Sequence, residues 1–235
     1  MRIPSANSQS LLVALCAPQR VGHVSKHVRH LVHEAEWAQS RTYVSRLRQV
    51  EYLLARAAFH VVTKNPMPLL NSSRGAPIWP DNVTGSIAHL DGNVVLALTR
   101  NGIPAGIDIE SSGQESFSCR EAAYKMIYGL DSDLIQDRRC LWDELSVGTL
   151  PGSDGYHTLT VFLGPSAVAR CAIARAKIRD KRYAVVIAVP PNTRLSDITV
   201  RVLHAPLASS ARLRSAIEPQ LNRALRLSVE LGGIL

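Results

Sequence analysis

The pair Asp91-Gly92 stands between two apolar runs and constrains the fold more than any other short stretch of this chain. "GSIAHL" precedes the pair and "NVVLALT" follows it. Asp-Gly is typical of the two-residue turn that joins antiparallel strands, because both turn positions need a left-handed backbone. We therefore predict a β-hairpin here, and the apolar run "AGIDIE" predicts a third strand soon after it.

Helical and strand patterns are mixed along the rest of the chain. "LLVALCAP" predicts a first strand, and apolar residues spaced by three and four between residues 25 and 60 predict two helices. "SFSCREAAYKMIYGL" predicts another helix, with Gly129 as its C-cap. Strands are predicted at "YHTLTVFLG" and "RYAVVIAVP", and the tail has basic helical character. The predicted fold class is α+β, in which "VVLALT" and "AVVIAV" could be equivalent strands of two halves.

Composition narrows the classes of protein to consider. With 235 residues and 46% hydrophobic content, the chain can bury one large core or two small packed lobes. No apolar run reaches the roughly 18–20 residues that a membrane span requires. The four cysteines are widely spaced without a CxxC pair, which favours neither a zinc ribbon nor a disulfide framework. We therefore predict a cytoplasmic protein in a reducing environment.

The net charge of +8 predicts acidic partners, which could be nucleic acid, phosphorylated small molecules or an acidic protein. Aromatic residues make up only 5% of the chain, and the basic residues are spread rather than clustered. Both observations disfavour a protein that binds single-stranded nucleic acid.

Two carboxylates lie at the end of the predicted strand "GIDIE". Asp108 and Glu110 are two residues apart, so they face the same side of an extended strand at roughly 6–7 Å from one another. They could hold one hard cation such as Mg²⁺, or they could be solvated side chains at a strand end. The local sequence leaves both interpretations open.

Glu121 and Lys125 are four residues apart, which places both on one face of the predicted helix. Ser118 and Glu121 also fit the S-x-x-E capping box, in which Glu121 would close the start of the helix. His89 stands alone after "SIA", where a structural and a catalytic role are both open. Four other histidines share one predicted helical flank, and they are His23, His27, His30 and His33. Such spacing could bind a transition metal, but we predict a solvated basic face instead.

Four stretches resemble, in the same order, motifs of the 4′-phosphopantetheinyl transferases, particularly the group similar to the enterobactin-synthetase component D enzymes. "VEYLLARAA" resembles the family's Glu-Phe-x-x-Gly-Arg helix, and "GIDIE" resembles its metal-binding strand. "SSRGAPIWPDNVTGSIAHLDGNVVLAL" resembles its Gly-x-Pro-x-Trp-Pro and Gly-Ser-Ile-Ser-His region. "FSCREAAYK" resembles its Phe-Ser-x-Lys-Glu-x-x-Tyr-Lys helix. The resemblance runs from about residue 36 to residue 147.

This resemblance implies two similar α/β lobes with a pseudo-twofold arrangement. We place the nucleotide-phosphate-binding lobe at residues 1–104, and the lobe with the metal site and the Lys-Glu helix at residues 105–235. The implied reaction is Mg²⁺-dependent transfer of 4′-phosphopantetheine from coenzyme A to a serine of an acyl or peptidyl carrier protein, as in siderophore or polyketide biosynthesis. The implied partners are coenzyme A and an acidic carrier protein, with neither nucleic acid nor a membrane.

The resemblance also implies a role for each candidate residue. Mg²⁺ would be bound by Asp108, Glu110 and Glu121. Glu121 and Lys125 would be catalytic: Glu121 would complete the metal site or accept the serine proton, and Lys125 would stabilise the leaving phosphate. The nucleotide phosphates of coenzyme A would be held by Arg48, Arg56, Arg74 and His89.

One departure from the family bears on the predicted activity. Only "SSGQES" separates Glu110 from Phe117, where family members have a substantial helical segment that helps to receive the carrier protein. Weakened transfer and a non-catalytic coenzyme A-binding relative are therefore both open. A metal-dependent nuclease is a further alternative, but Lys125 follows Glu121 by four residues, whereas the common nuclease core has a spacing of two.

Overall fold

The computed structural model of the protein describes residues 10–16, 28–81, 83–100, 104–130, 138–149, 158–178, 180–191, 193 and 199–204. Within these residues the chain forms nine strands and four helices. In chain order they are β1 (Ser10–Cys16), α1 (Glu34–Ser40), α2 (Arg46–Thr63), β2 (Val83–Leu90), β3 (Asn93–Arg100), β4 (Gly106–Ser111), α3 (Glu115–Leu130), α4 (Arg138–Glu144), β5 (Leu145–Gly148), β6 (Thr158–Leu163), β7 (Ser166–Ile178), β8 (Lys181–Val189) and β9 (Thr199–His204).

The strands form two sheets. The strand order is β2-β3-β1-β9 in the first sheet and β4-β8-β7-β6-β5 in the second. β1 is parallel to β9, and the other paired strands are antiparallel. β2 and β4 lie side by side where the two sheets meet, and the backbone N–H of Ile107 donates to Ser86 Oγ at 3.1 Å. This junction brings the predicted hairpin next to the "GIDIE" strand.

Apolar side chains of the described residues form three clusters. One lies between the two sheets and includes Leu11 and Ile107. The second lies between α2 and the first sheet around Leu54, and the third lies between α3 and the second sheet around Met126. β3 and β8 contribute to the central cluster with one face and to an outer cluster with the other. Burial on both faces explains why these two strands are continuous apolar runs instead of alternating ones.

The main predictions of secondary structure are confirmed. The fold is α+β, and β2 and β3 form the predicted hairpin around Asp91 (φ 54°) and Gly92 (φ 78°). The prediction that Gly129 caps α3 is wrong, because the helix continues through it to Leu130. The predicted histidine flank is also wrong where it can be checked: His33 is the N-cap of α1 and accepts the N–H of Ala35. His23, His27 and the basic tail lie outside the described residues.

The division of the chain at residue 104 stays a prediction. β9 comes from the second half of the sequence, yet it pairs with β1 in the first sheet. β9 therefore lies after the predicted boundary in sequence but belongs to the sheet formed by strands that precede it. In the part of the chain that the structure describes, no helix is both long enough and apolar enough to cross a membrane.

Candidate active site

The contact between β4 and α3 brings Asp108 and Lys125 together. Nζ of Lys125 donates to Asp108 Oδ1 at 2.7 Å and to the carbonyl oxygen of Ile107 at 3.4 Å. The other carboxylate oxygen, Oδ2, accepts a hydrogen bond from Ser118 Oγ at 2.8 Å. Asp108 is only 5% exposed. A buried carboxylate whose two oxygens are both bonded is held in a single orientation.

Gly106 allows α3 to lie this close to β4. A Cβ atom at this position would lie 1.7 Å from the carbonyl oxygen of Ala122, in the middle of α3. Any side chain would therefore push the helix away from the strand. The glycine of "GIDIE" sets the short distance across which Lys125 reaches Asp108.

Two further carboxylates lie near this ion pair. Oε2 of Glu121 is 3.6 Å from Nζ of Lys125, one helical turn away. Burial raises the pKa of Glu110 above its ordinary value, and the negative charges of Asp108 and Glu121 raise it further. Three carboxylates thus share one region, with Lys125 as the cation between two of them.

The predicted metal ligands fit Mg²⁺ in their chemistry, because all three offer hard carboxylate oxygens. The repulsion that raises the pKa of Glu110 is also the kind that a divalent cation relieves. The arrangement of these side chains, in contrast, is not that of a metal site. Among the described residues, no group of three or more His, Cys, Asp or Glu side chains is arranged to hold a metal ion. Asp108 Oδ1 is bonded to Lys125, which would have to release it before a cation could bind there.

The capping-box interpretation of Ser118 and Glu121 is wrong. α3 begins at Glu115, and the backbone N–H of Ser118 already donates to Gln114 within the first turn. The Ser118 hydroxyl is therefore not needed to start the helix and instead donates to Asp108.

Glu51, on the buried face of α2, holds a second group of candidate residues. Its Oε2 lies 2.7 Å from Nδ1 of His89 and 3.8 Å from Nη1 of Arg48. Its Oε1 accepts the backbone N–H of Gly92 at 3.0 Å. Burial alone would raise the pKa of Glu51. The hydrogen bond and charge of His89, the Gly92 N–H and the charge of Arg48 outweigh burial and bring this pKa below its ordinary value.

Sequence reasoning assigned no role to Glu51. The available signal was an acidic residue within the apolar stretch "VEYLLARAA" of a predicted helix. A carboxylate on such a face needs bonded partners, because burying it without them is costly. The sequence does not show which residues these partners are.

Arg56 is placed differently from the other predicted phosphate ligands. It is 3% exposed, and its guanidinium donates to the carbonyl oxygen of Leu69 at 2.9 Å and to Asn71 Oδ1. The same group lies 3.8 Å from the centroid of the Tyr52 ring. These contacts anchor the loop that follows α2. A phosphate contact for Arg56 stays a prediction, and the proposal below does not use it.

A cleft of about 570 Å³ lies between residues 72–79, β2 and α3. Of the predicted site residues, Arg74 lines it from the loop and Lys125 lines it from the helix. Arg74 is exposed and has no hydrogen bond or ion pair with other described residues. Tyr124 and Tyr128 also line the cleft, with ring centroids 6.2 Å apart and an interplanar angle of 14°. This volume is typical of small-molecule sites.

Comparison with known proteins shows which families part of the chain is similar to. Residues 34–99 match the family model described as the 4′-phosphopantetheinyl transferase N-terminal domain. This segment is thus similar to the N-terminal domain of the 4′-phosphopantetheinyl transferases. A stretch of 103 residues is 35% identical to 4′-phosphopantetheinyl transferase Svp of Streptomyces mobaraensis. That match covers 43% of this chain and 37% of the length of the Streptomyces protein.

The segment that matches the transferase family model covers only one part of the candidate site. Residues 34–99 include Glu51, His89 and the three arginines predicted to bind phosphate. The carboxylates of β4, together with Glu121 and Lys125, lie beyond the segment, and of these residues Lys125 lines the cleft. Membership of the enterobactin-synthetase-like group within the superfamily stays a prediction.

Proposed function

We propose that the protein transfers 4′-phosphopantetheine from coenzyme A to a serine of an acyl or peptidyl carrier protein. The observation that carries this proposal is the position of Lys125, which lines the cleft while it is bonded to the buried Asp108. Arg74 supplies a second cation, from the loop that lines the cleft. A cleft with cations on two sides and carboxylates behind one of them suits a pyrophosphate substrate together with a metal ion.

In this proposal the serine oxygen of the carrier protein attacks the phosphorus that bears the pantetheine arm. A new P–O bond forms to the serine, and the P–O bond to 3′,5′-ADP breaks. Glu121, partly exposed and one turn from Lys125, accepts the serine proton. The Lys125 ammonium stabilises the negative charge that develops on the departing 3′,5′-ADP.

Arg74 binds a phosphate of coenzyme A in the same proposal, since its guanidinium is exposed and faces no competing acidic partner in the described residues. When bound, Mg²⁺ would neutralise charge on the pyrophosphate oxygens. The residues that would hold it are Asp108, Glu110 and Glu121. Their carboxylates supply the hard oxygen ligands, and Ser118 keeps Asp108 in a fixed orientation.

The carrier protein is the less strongly supported partner. Only residues 112–114 connect β4 to α3, so this chain lacks the segment by which the family receives its carrier protein. The net charge of +8 still favours encounter with an acidic protein. We therefore propose transfer that is weak, or restricted to a carrier protein that binds another surface.

Calorimetry with coenzyme A tests the substrate. The wild type should bind it, and Arg74→Ala should weaken binding by about tenfold or more, because one charged hydrogen bond is lost. Arg182→Ala is the matched control, since Arg182 is exposed on β8 and is not part of the cleft lining. Absence of coenzyme A binding in the wild type would remove the proposed substrate.

A further inference from the structure

This inference rests on the proposed function and concerns the loop that presents Arg74 to the cleft. The backbone N–H of Ser72 donates to the Ala76 carbonyl oxygen at 2.8 Å, and the Gly75 N–H donates to the Ser72 carbonyl oxygen at 2.9 Å. Gly75 has a left-handed backbone (φ 85°), which is typical of the third position of a three-residue hairpin loop. Arg74 therefore lies at the tip of a short hairpin, which we call the Arg74 loop (residues 70–78).

The Arg74 loop contains too few internal bonds to be stable by itself. Within it, the Ile78 N–H donates to the Leu70 carbonyl oxygen at 2.8 Å, and Asn71 forms a single bridge with Pro77. An isolated two-stranded hairpin is at best marginally stable in water, even when it has more pairs than these. Contacts with the rest of the protein are therefore needed to hold Arg74 in place.

The side-chain amide of Gln39, on α1, provides this support at Asn71. Gln39 Nε2 donates to the Asn71 carbonyl oxygen at 3.1 Å, and Gln39 Oε1 accepts the Asn71 N–H at 2.8 Å. One amide thus bonds both backbone groups of one residue, as a neighbouring strand would. The Tyr52 hydroxyl also donates to Gln39 Oε1, which holds the amide in this orientation.

The side chain of Asn71 is bonded as well as its backbone. Its Oδ1 accepts a hydrogen bond from Arg56, and its Nδ2 donates to the Tyr43 hydroxyl at 2.9 Å. Two residues earlier, the Leu69 N–H donates to the buried carboxylate of Glu36 at 2.7 Å. The residues just before the tip of the loop are thus bonded to α1, to α2 and to the segment between them, while the tip itself is exposed.

The bonds between Gln39 and Asn71 lie outside the cleft. Within the Arg74 loop, the lining of the cleft begins at Ser72, the residue after Asn71. We propose that Gln39 is a positioning residue: through Asn71 it holds the Arg74 loop, before coenzyme A arrives, in the shape that binds this ligand. Ordering the loop then costs no affinity when coenzyme A binds. Gln39 itself does not touch the substrate.

Gln39→Glu tests this inference, because it keeps the size of the side chain but replaces the donor to the Asn71 carbonyl oxygen with a second acceptor. Affinity for coenzyme A, measured by calorimetry, should fall by about tenfold or more, since Arg74 is no longer held in place. In the Arg74→Ala background the same substitution should have a much smaller effect, because Gln39 acts through the loop that carries Arg74. An equal loss of affinity in both backgrounds would overturn the inference.

Ser40→Ala is the matched control, because Ser40 follows Gln39 on α1 and its buried hydroxyl donates to the Trp37 carbonyl oxygen at 2.7 Å. Loss of this hydrogen bond should lower the melting temperature but leave the affinity for coenzyme A unchanged. If Ser40→Ala weakens binding as much as Gln39→Glu does, general destabilisation of α1 explains the loss, and the inference is wrong.

Hydrogen exchange of the wild type without coenzyme A supplies a test that needs no variant. The amides of Asn71 and Ile78 should exchange at least about a hundredfold more slowly than in an unfolded chain, because both are bonded in the held loop. Exchange at the unfolded rate would overturn the inference even if Gln39→Glu fails to fold. If these amides are protected but the wild type does not bind coenzyme A, the proposed function fails and the held loop remains. Unchanged affinity for coenzyme A in Gln39→Glu contradicts this inference alone.

Discussion

Lys125 and Asp108 are ion-pair partners across the contact between α3 and β4, with Nζ 2.7 Å from Oδ1. The family resemblance implies a metal-binding role for Asp108 and a phosphate-binding role for Lys125. In this structure the two side chains instead neutralise one another. A divalent cation and the Lys125 ammonium therefore compete for the same carboxylate oxygen.

Replacing Lys125 with Met should strengthen binding of Mn²⁺ or Mg²⁺ in the absence of coenzyme A, because the competing ammonium is gone while the length of the side chain is kept. The variant should melt at a lower temperature, since it leaves Asp108 buried without its counter-charge, and added metal should restore part of the loss. Mn²⁺ titration followed by electron paramagnetic resonance measures the affinity. Lys177→Met, on the exposed side of β7, is the control. Unchanged or weaker metal binding in Lys125→Met would contradict the competition.

Removing the Ser118 hydroxyl should destabilise the fold. In Ser118→Ala the Oδ2 atom of Asp108 loses its donor in a site where Ser118 is fully buried. Leaving a buried acceptor unpaired costs about 1–3 kcal/mol in the free energy of unfolding. Urea denaturation of the variant and the wild type measures the difference. A variant as stable as the wild type would show that this hydrogen bond does not hold Asp108.

Gly106→Ala should prevent α3 from packing on β4. The added methyl group would lie 1.7 Å from the Ala122 carbonyl oxygen, so the helix must shift. We expect a loss of more than about 3 kcal/mol in the free energy of unfolding, or no folded protein. Gly148→Ala is the matched control, because its new Cβ would meet only the Phe162 ring at 3.4 Å. Similar melting temperatures for the two variants would contradict the close approach of strand and helix.

The buried Glu36 should make stability depend on pH through His60. Burial lowers the pKa of His60, but its hydrogen bonds to Glu36 and to the Asn65 carbonyl, with the charge of Glu36, outweigh burial and raise this pKa. A raised folded-state pKa means that the folded protein holds the proton more tightly than the unfolded chain. This stabilisation is fully present below about pH 6.5, the unfolded value, and is lost as the pH rises through the folded value.

Urea midpoints measured across this pH range check the prediction for Glu36 and His60. The wild type should lose stability with rising pH more steeply than His60→Gln, which cannot take up the proton. Parallel pH profiles for the two proteins would show that His60 does not contribute this dependence.

Many of the helices, strands and turns could be predicted from the sequence, because the pattern that indicates each of them lies within a few residues. The Asp91-Gly92 turn, the apolar run of β4 and the spacing of Glu121 and Lys125 each lie within a few residues. The sequence does not predict β7, because "SAVARCAIARAKI" combines alanines with basic residues and lacks a clear run of strand-forming side chains. Burial against β6 and β8 on either side determines this strand.

The partners within the candidate site could not be predicted in the same way. Glu51 meets His89, which lies 38 positions further along the chain, and Asp108 meets Lys125 through the packing of a helix on a strand. Arg56 fits the family motif, but the sequence does not show that its guanidinium lies under the loop after α2. These contacts depend on how the sheets and helices pack, which local patterns do not specify.

The shortened link between β4 and α3 should affect coenzyme A and the carrier protein differently. The link leaves Asp108 and Lys125 in contact, so coenzyme A binding should be near normal for the family. Loss of a docking segment should instead weaken transfer or restrict it, since even a few hundred Å² of apolar surface is worth several kcal/mol before the costs of association. Rates of transfer to several unrelated carrier proteins test this. Rapid modification of all of them would contradict a restricted docking surface.

Intact-mass spectrometry of apo carrier proteins, after incubation with this protein, coenzyme A and Mg²⁺, tests the proposed function most directly. At least one acidic acyl or peptidyl carrier protein should gain the mass of one 4′-phosphopantetheinyl group on a serine. The gain should disappear with Glu121→Gln and persist with the control Arg182→Ala. If no carrier protein gains this mass although coenzyme A binds, the protein is a non-catalytic relative of the family, and the proposed transfer is wrong.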